Sequence, residues 1–373
     1  MFPGVSCFWE PTNASNWSCD PSLSEYRYFG ASLGLLVTVV GATGNTLTLL
    51  AYAVDPRLKS RFNLLILNLT LSDLLYSAFL QPVAVASYLR MGWIGGGRTS
   101  CRAFGLLVFT SNLVSILNLA LIAGARYALV KCPRGFREVS GRPWAPPVFL
   151  GAPWILSLGL LAPSWCVYDF LPSVCSCSLH PTRGRAYTTA LHVLTFGLGL
   201  ASIGAFYLLI YRKVRSTGRA ARSYRVPRPA EGSSSRPEEE EEEEEEEVDG
   251  GTQGEEGSEA TSSARRAEGR AMARRKTRAR GRGSPDARRV TAMCFAVFLV
   301  YLACYLPFCL ANLFGGGALP AVVRTLAGNI TWLNSCANPV LYAVMNRQFR
   351  DAYGRVLRLP CSRCASRGQR GLG

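Results

Sequence analysis

The stretch CRAFGLLVFTSNLVSILNLALIAGARY, Cys101 to Tyr127, contains no Pro, Asp or Glu, and its charges, Arg102 and Arg126, stand at its ends. Read as one helix rising about 1.5 Å per residue, it places Cys101 and Arg126 roughly 38 Å apart. A hydrocarbon core is about 30 Å thick, so the two ends reach opposite polar faces of a bilayer. Three depths are marked along it: Cys101 at one end, Asn112 and Ser115 in the middle, Arg126 and Tyr127 at the other.

Six further apolar runs accompany it. Together they predict seven spanning helices at about 28–53, 62–89, 101–130, 146–166, 186–213, 289–313 and 320–344. The fold class expected is an all-α membrane protein, a seven-helix bundle with a short amphipathic eighth helix. A mean hydropathy of +0.13 over 373 residues agrees with this. The net charge of +16 falls between apolar runs and in the tail, as in cytoplasmic loops, and no nucleic-acid partner is expected. Lys and Arg favour the connections 55–61 and 131–142, the segment 214–288 and the tail 345–373 as cytoplasmic. Residues 1–27 then form an extracellular tail, in agreement with the adjacent sequons at Asn13 and Asn16. Asn68 and Asn329 also match the sequon pattern but lie inside apolar runs, out of a transferase's reach. No basic region followed by an apolar one precedes the first span, so that span is expected to act as its own insertion signal.

The segment 214–288 carries the run Glu238 to Glu247 and a basic block after it, with few large apolar residues. It is expected to be a disordered third cytoplasmic loop, the Glu run serving as a solvated linker or tuning coupling. After the seventh span, Phe349, Tyr353, Val356 and Leu357 recur at helical spacing among basic residues, which predicts an amphipathic helix on the inner leaflet. Cys361 and Cys364 follow it, either palmitoylated or free cytosolic thiols. Of the 13 cysteines, Cys294, Cys304, Cys309 and Cys336 lie in apolar segments and read as small core residues. Cys7, Cys19, Cys101, Cys175 and Cys177 flank spans on the outer side, where disulfides are permitted.

Polar groups in a bilayer are costly, so each one is informative. Asn45, Asp73, Ser115, Asn334, Ser335 and Asn338 form the main set, and Asp73 is the only acid inside any span. Oxygens of Ser115, Asn334, Ser335 and Asn338 can join Asp73 around a sodium ion; alternatively the group is an interhelical hydrogen-bond cluster that fixes packing. Pro307 and Pro339 kink the sixth and seventh helices, which suits a bundle with two packings. No nucleophile–base pair or metal-ligand spacing points to an enzyme, and no cofactor is required. A transporter would show internal repeats or a chain of intramembrane charges, and neither is present. Arg126-Tyr127 taken alone reads equally as an ordinary interfacial anchor.

Asn45 after Gly44, Leu71-Ser72-Asp73-Leu74-Leu75, Cys101, Arg126-Tyr127, Trp154, Pro307 and Asn338-Pro339-Val340-Leu341-Tyr342 fall in order, one per helix except the fifth. This pattern resembles the rhodopsin-like G-protein-coupled receptors over the whole chain apart from the third loop and the last few residues. The stretches 26–28, 61–66, 68–76, 111–117, 175–178, 183–189, 293–299 and 331–334 are similar to receptors for medium-chain fatty acids. The resemblance implies disulfides Cys101–Cys177 and Cys19–Cys175, leaving Cys7 spare. It implies a ligand pocket touching Tyr76, Val108, Phe109, Asn112, Phe308, Asn329 and Trp332, with Asn112 and Asn329 bonding a hydroxyl. The loop arginine that meets the carboxylate in those receptors aligns with Pro181, and Arg183 is the nearest substitute, with His180 and Arg185 close by. An activation switch is implied at Arg126, Tyr127, Tyr207, Tyr305, Pro307, Pro339 and Tyr342. Implied partners are a heterotrimeric G protein of the inhibitory class, receptor kinases, arrestin, a small lipophilic ligand and membrane lipid, at the plasma membrane. The chain departs from the pattern at Ala125, which replaces an acid, near Ala287, where an acidic partner is usual, at Tyr305 for Trp and at Gly199 for Pro. A receptor that signals constitutively with another ligand, or with none, is the rival reading.

Overall fold

The computed structural model describes residues 17–180, 185–193, 197, 199–223, 285–314 and 319–358. Asn13, Asn16, Cys7, Pro181, Arg183, the Glu238–Glu247 run, Cys361 and Cys364 lie outside the described residues. The chain forms two units, Met1–Tyr211 with Arg289–Gly373, and Arg212–Arg288. The cavity and the inner end of the bundle belong to the first unit.

Helix α1 spans Tyr26–Val54. Before it, Asp20 caps the turn Pro21–Leu23, its Oδ1 accepting from the Ser22 N–H at 2.9 Å. Hydrogen bonds from the Ser22 hydroxyl first, and then from its N–H, hold the Asp20 carboxyl below its ordinary pKa. Helix α2 spans Arg61–Arg90. Ser60 caps it through the Asn63 N–H. A π turn at Tyr76–Leu80 interrupts α2 just before Pro82. Proline has no N–H to donate, and its ring displaces the carbonyl one turn back. Helix α3, Arg98–Lys131, is the opening stretch extended at both ends to 34 residues. It stops at Cys132, ahead of Pro133.

A short helix α4, Pro133–Gly141, leads into α5, Ala145–Leu161, which tightens into a 3-10 segment Ala162–Val167 at Pro163. Strands β1 (Tyr168–Leu171) and β2 (Ser176–Leu179) pair antiparallel, with Phe170 opposite Cys177. The fifth span was expected as one run over 186–213. Its described residues form α6 (Arg185–His192) and α7 (Gly199–Ser223), and residues 194–196 and 198 between them lie outside the described residues. The Ala- and Arg-rich end of α7 favours helix, so it continues past the apolar limit. The sixth span, α8, likewise starts early, at Pro285, and ends at Phe314. The seventh is α9 (Ala321–Ile330), a 3-10 turn Thr331–Leu333 and α10 (Asn334–Met345). The amphipathic helix is α11, Arg347–Arg358.

α1, α2, α3, α5, α6 with α7, α8, and α9 with α10 make the seven-helix bundle. The buried positions of α3 lie on several sides, from Leu113 and Val114 to Ile116 and Asn118, which marks it as the central helix. Leu35, Leu36, Ile155, Leu156, Leu299 and Leu306 face outward instead. Such an apolar exterior is unfavourable in water and suits acyl chains. Close helix approach needs glycine at several places, Gly44 and Gly199 among them. A Cβ at Gly44 would lie 2.8 Å from Pro339 Cβ, and one at Gly199 would lie 2.6 Å from Ile116 Cδ1. Gly199 therefore lets α7 press on α3 where a proline was the usual residue.

Candidate functional site

A cavity of about 460 Å³ opens between the helices on the Cys101 side, within the range of small-ligand sites. Its deep end is set by α3. Asn112 points there because Tyr305 of α8 donates its hydroxyl to Asn112 Oδ1 at 2.7 Å. Tyr305 also stacks on Tyr301, ring centroids 4.3 Å apart, which fixes its χ angles. The walls are Tyr76, Val108, Phe109, Phe308 and Trp332 with Phe104, Leu113 and Ile116. Every described residue of the expected ligand set lines this one cavity; Arg183 falls outside the described residues.

Asn329 is the most constrained member. Its Nδ2 donates to Tyr26 Oη at 3.0 Å, and its Oδ1 accepts from Tyr88 at 3.2 Å. Tyr88 also stands edge-on to Trp332. One N–H and part of the carbonyl of Asn329 remain for a ligand.

The β1–β2 hairpin supplies the outer wall through Ser176, Cys177, Ser178 and Leu179. Two disulfides hold it, Cys101–Cys177 to the start of α3 and Cys19–Cys175 to the N-terminal segment. Both pairings agree with the resemblance. Thr325 donates to the Ser173 carbonyl at 3.0 Å, and so ties α9 to the same hairpin. Cys166 is also disulfide-bonded. The sequence reading gave Cys166 no role, because it sits at the end of an apolar run.

One turn below the cavity lies Asp73, buried and paired with no cation among the described residues. Asn338 donates to its Oδ2 at 2.6 Å, and Ser115 to its Oδ1 at 3.4 Å. Asn334, one turn before Asn338 on the same face, leaves its buried Oδ1 without a partner. The Ser335 backbone carbonyl accepts from Asn45 Nδ2 at 2.8 Å. A lone buried carboxylate beside an unpaired acceptor oxygen fits a small hard cation.

At the inner end, Arg126 stacks over the Phe62 ring, 3.4 Å from its centroid, with a buried Nε that has no partner. No carboxylate pairs with it among the described residues. The Cys294 thiol lies close to its guanidinium instead, and Tyr207 is near enough to act on its charge. Tyr127 packs on Phe206, and Tyr207 on Phe295 and Phe298. Tyr342 is buried against Phe349 of α11. Pro307 and Pro339 sit within α8 and α10 as expected. Sequence reasoning missed Cys294, taken as a small core residue. Only its spacing, 11 residues from Tyr305 on one helix, could have placed it at the inner end. It also missed the anchors of α11. Tyr353 and Thr48 share a hydrogen bond of 2.7 Å, and Arg355 pairs with Asp55. Burial pushes the Tyr353 hydroxyl up to about 12.

Comparison with known proteins agrees with this geometry. The sequence pattern of the seven-transmembrane receptors of the rhodopsin family matches residues 44–342. The chain is 41% identical over 390 residues to G-protein coupled receptor 84 of Homo sapiens, covering 94% of this chain and 97% of that protein. It is 42% identical over 388 residues to the Mus musculus receptor of that name, with the same two coverages. To melatonin receptor type 1B of Mus musculus it is 25% identical over 332 residues, 87% of this chain and 76% of that protein.

Proposed function

The chain belongs to the rhodopsin family of seven-transmembrane receptors, and on that premise we propose that it senses a medium-chain fatty acid, plain or hydroxylated. It is a multi-pass plasma-membrane receptor that works through heterotrimeric G proteins, and it is not an enzyme. The observation that carries the ligand reading is the cavity wall. Aromatic and aliphatic side chains such as Val108, Phe109, Leu113, Phe308 and Trp332 make most of it, with polar groups between them at Asn112, Tyr305 and Asn329 and others at Ser176, Ser178, His180, Asn312, Arg324 and Thr325. An alkyl chain gains from burial against that wall, and a hydroxyl along it can reach an amide.

The resemblance supports coupling to inhibitory-class G proteins, with receptor kinases and arrestin as further partners. The bias of basic residues and the sequons support an extracellular N-terminus and glycans at Asn13 and Asn16, and the place of Cys361 and Cys364 just after the amphipathic helix supports palmitate there. A sodium ion beside Asp73, Ser115 and Asn334 would hold the inactive packing. Ligand binding then shifts the bundle towards a state open at the Arg126 end. The second reading, constitutive signalling, is favoured by one observation, the absence of an acid on Arg126 among the described residues.

The test is a dose–response of inhibitory G-protein activation in cells expressing the full chain, with decanoic and 3-hydroxydecanoic acids. A saturable response absent from mock cells is expected. No response to either acid, with high basal activation, would reverse the order of the two readings.

A further inference from the structure

We propose that Arg324, at the mouth of the cavity, is the group that receives a ligand's carboxylate in this receptor; the inference rests on the fatty-acid reading above. Arg324 is half-buried on the first turns of α9 and lines the cavity. Among the described lining residues it is the only Lys or Arg, and none is Asp or Glu. Its guanidinium makes one long hydrogen bond, from Nη2 to the Leu319 carbonyl at 3.3 Å. No carboxylate pairs with it among the described residues. The rest of its planar fork is left for a bidentate acceptor.

Its place on the helix strengthens the assignment. The N-terminal turn of a helix carries partial positive charge, so a cation there is mismatched with the helix that bears it. The charge of Arg324 therefore gains nothing from the dipole of α9. The start of α9 also has no side-chain cap at Pro320, so its first N–H groups add to the positive field at the mouth. The Thr325 bond to Ser173 holds this turn against the hairpin that covers the cavity. Below it, α9 and the following turn descend from Arg324 to Trp332, roughly 12 Å of helix along the cavity wall. A medium-length alkyl chain with its carboxylate at Arg324 lies along that wall and ends near Tyr305 and Asn112. Where the resemblance places an arginine in the second loop this sequence has Pro181, and Arg324 is the Lys or Arg that the described cavity lining supplies.

The experiment compares decanoic acid with 1-decanol on the full chain in cells, reading G-protein activation and surface expression together. Arg324→Gln should raise the half-maximal decanoic acid concentration roughly ten- to hundredfold, the loss of a charge-assisted hydrogen-bonded pair. Its response to 1-decanol should move less than about threefold, since the alcohol makes no such pair. Arg324→Lys, which keeps the charge and loses the fork, should fall between Arg324→Gln and wild type. An unchanged decanoic acid response in Arg324→Gln would overturn the assignment. So would equal losses for acid and alcohol, which would mark a structural role, or a loss confined to Arg183→Gln. A wild-type receptor silent to decanoic acid would overturn the fatty-acid reading itself, and the head-group assignment with it.

Discussion

Arg126 is the residue whose surroundings depart furthest from expectation, and Cys294→Asp tests the consequence for basal signalling. The thiol lies close to the guanidinium, and no carboxylate pairs with Arg126 among the described residues. An Asp at Cys294 places a negative charge within about 4 Å of Arg126, worth roughly 4 kcal/mol at an effective dielectric constant near 20. Taking that carboxylate out of water costs several kcal/mol less the hydrogen bonds it recovers, which leaves a net clamp of about 1–2 kcal/mol. That clamp acts only in the packing in which α3 and α8 are together at their inner ends. It therefore reduces the population of the open state by about 5- to 30-fold. The assay is basal nucleotide exchange on a purified G-protein heterotrimer by receptor reconstituted in lipid discs. Cys294→Asp should lower the basal rate by that factor and leave a ligand-driven rate that needs more agonist. Cys294→Asn, of the same shape without the charge, should change the rate by less than about twofold. Equal effects of Asp and Asn, or a raised rate with Asp, would refute the idea that Arg126 is unclamped for want of a charge.

Three more outcomes are expected. Asp73→Asn removes the charge a sodium ion would neutralise, so basal exchange should become insensitive to replacing sodium by N-methylglucamine, whereas wild type should respond. Thr48→Val and Tyr353→Phe should show a coupling of about 1 kcal/mol in a double-mutant cycle of detergent thermal stability, from one buried hydrogen bond. In the same assay the Tyr353 contribution should be flat below pH 10. It should be lost as pH rises from about 10, the ordinary Tyr value, to about 12, because the folded state holds the proton longer than the unfolded one. Gly44→Leu forces a branched side chain against Pro339, 2.8 Å from where its Cβ would sit, and should cost about 1–3 kcal/mol, read as loss of surface receptor.

Much of this was legible in the chain because membrane physics writes it plainly. A 27-residue run without Pro or acid can be little else than a span, and a lone Asp73 in the second run must find polar company. The residues that bring the cavity together were legible only through resemblance, since nothing in Tyr76 or Trp332 alone says that they face one space. Three features escaped both routes. The π turn at Tyr76–Leu80 depends on how α2 accommodates Pro82 between its neighbours. The Thr48–Tyr353 and Asp55–Arg355 contacts join residues about 300 positions apart, which no local pattern encodes. Cys294 reads as a filler because a thiol suits any core; its contact with Arg126 arises from the inner crossing of α3 and α8.

The same crossing explains how one helix can answer to both ends of the opening stretch. On α8, Tyr305, Tyr301, Phe298 and Cys294 recur at helical spacing, so they lie on or near one face about 16 Å long. The top of that face is fixed by the Tyr305–Asn112 hydrogen bond at the cavity. Its foot rests on Arg126 and Tyr207. Tyr301, stacked below Tyr305, has a buried hydroxyl without a partner, so the middle of the face carries no bond that ties it to one packing. Polar contacts at both ends, with only ring packing between them, let the face move as one lever. A ligand that competes for Asn112 and a protein that competes for Arg126 bias the same two-state element, and each must then raise the other's affinity by the same factor.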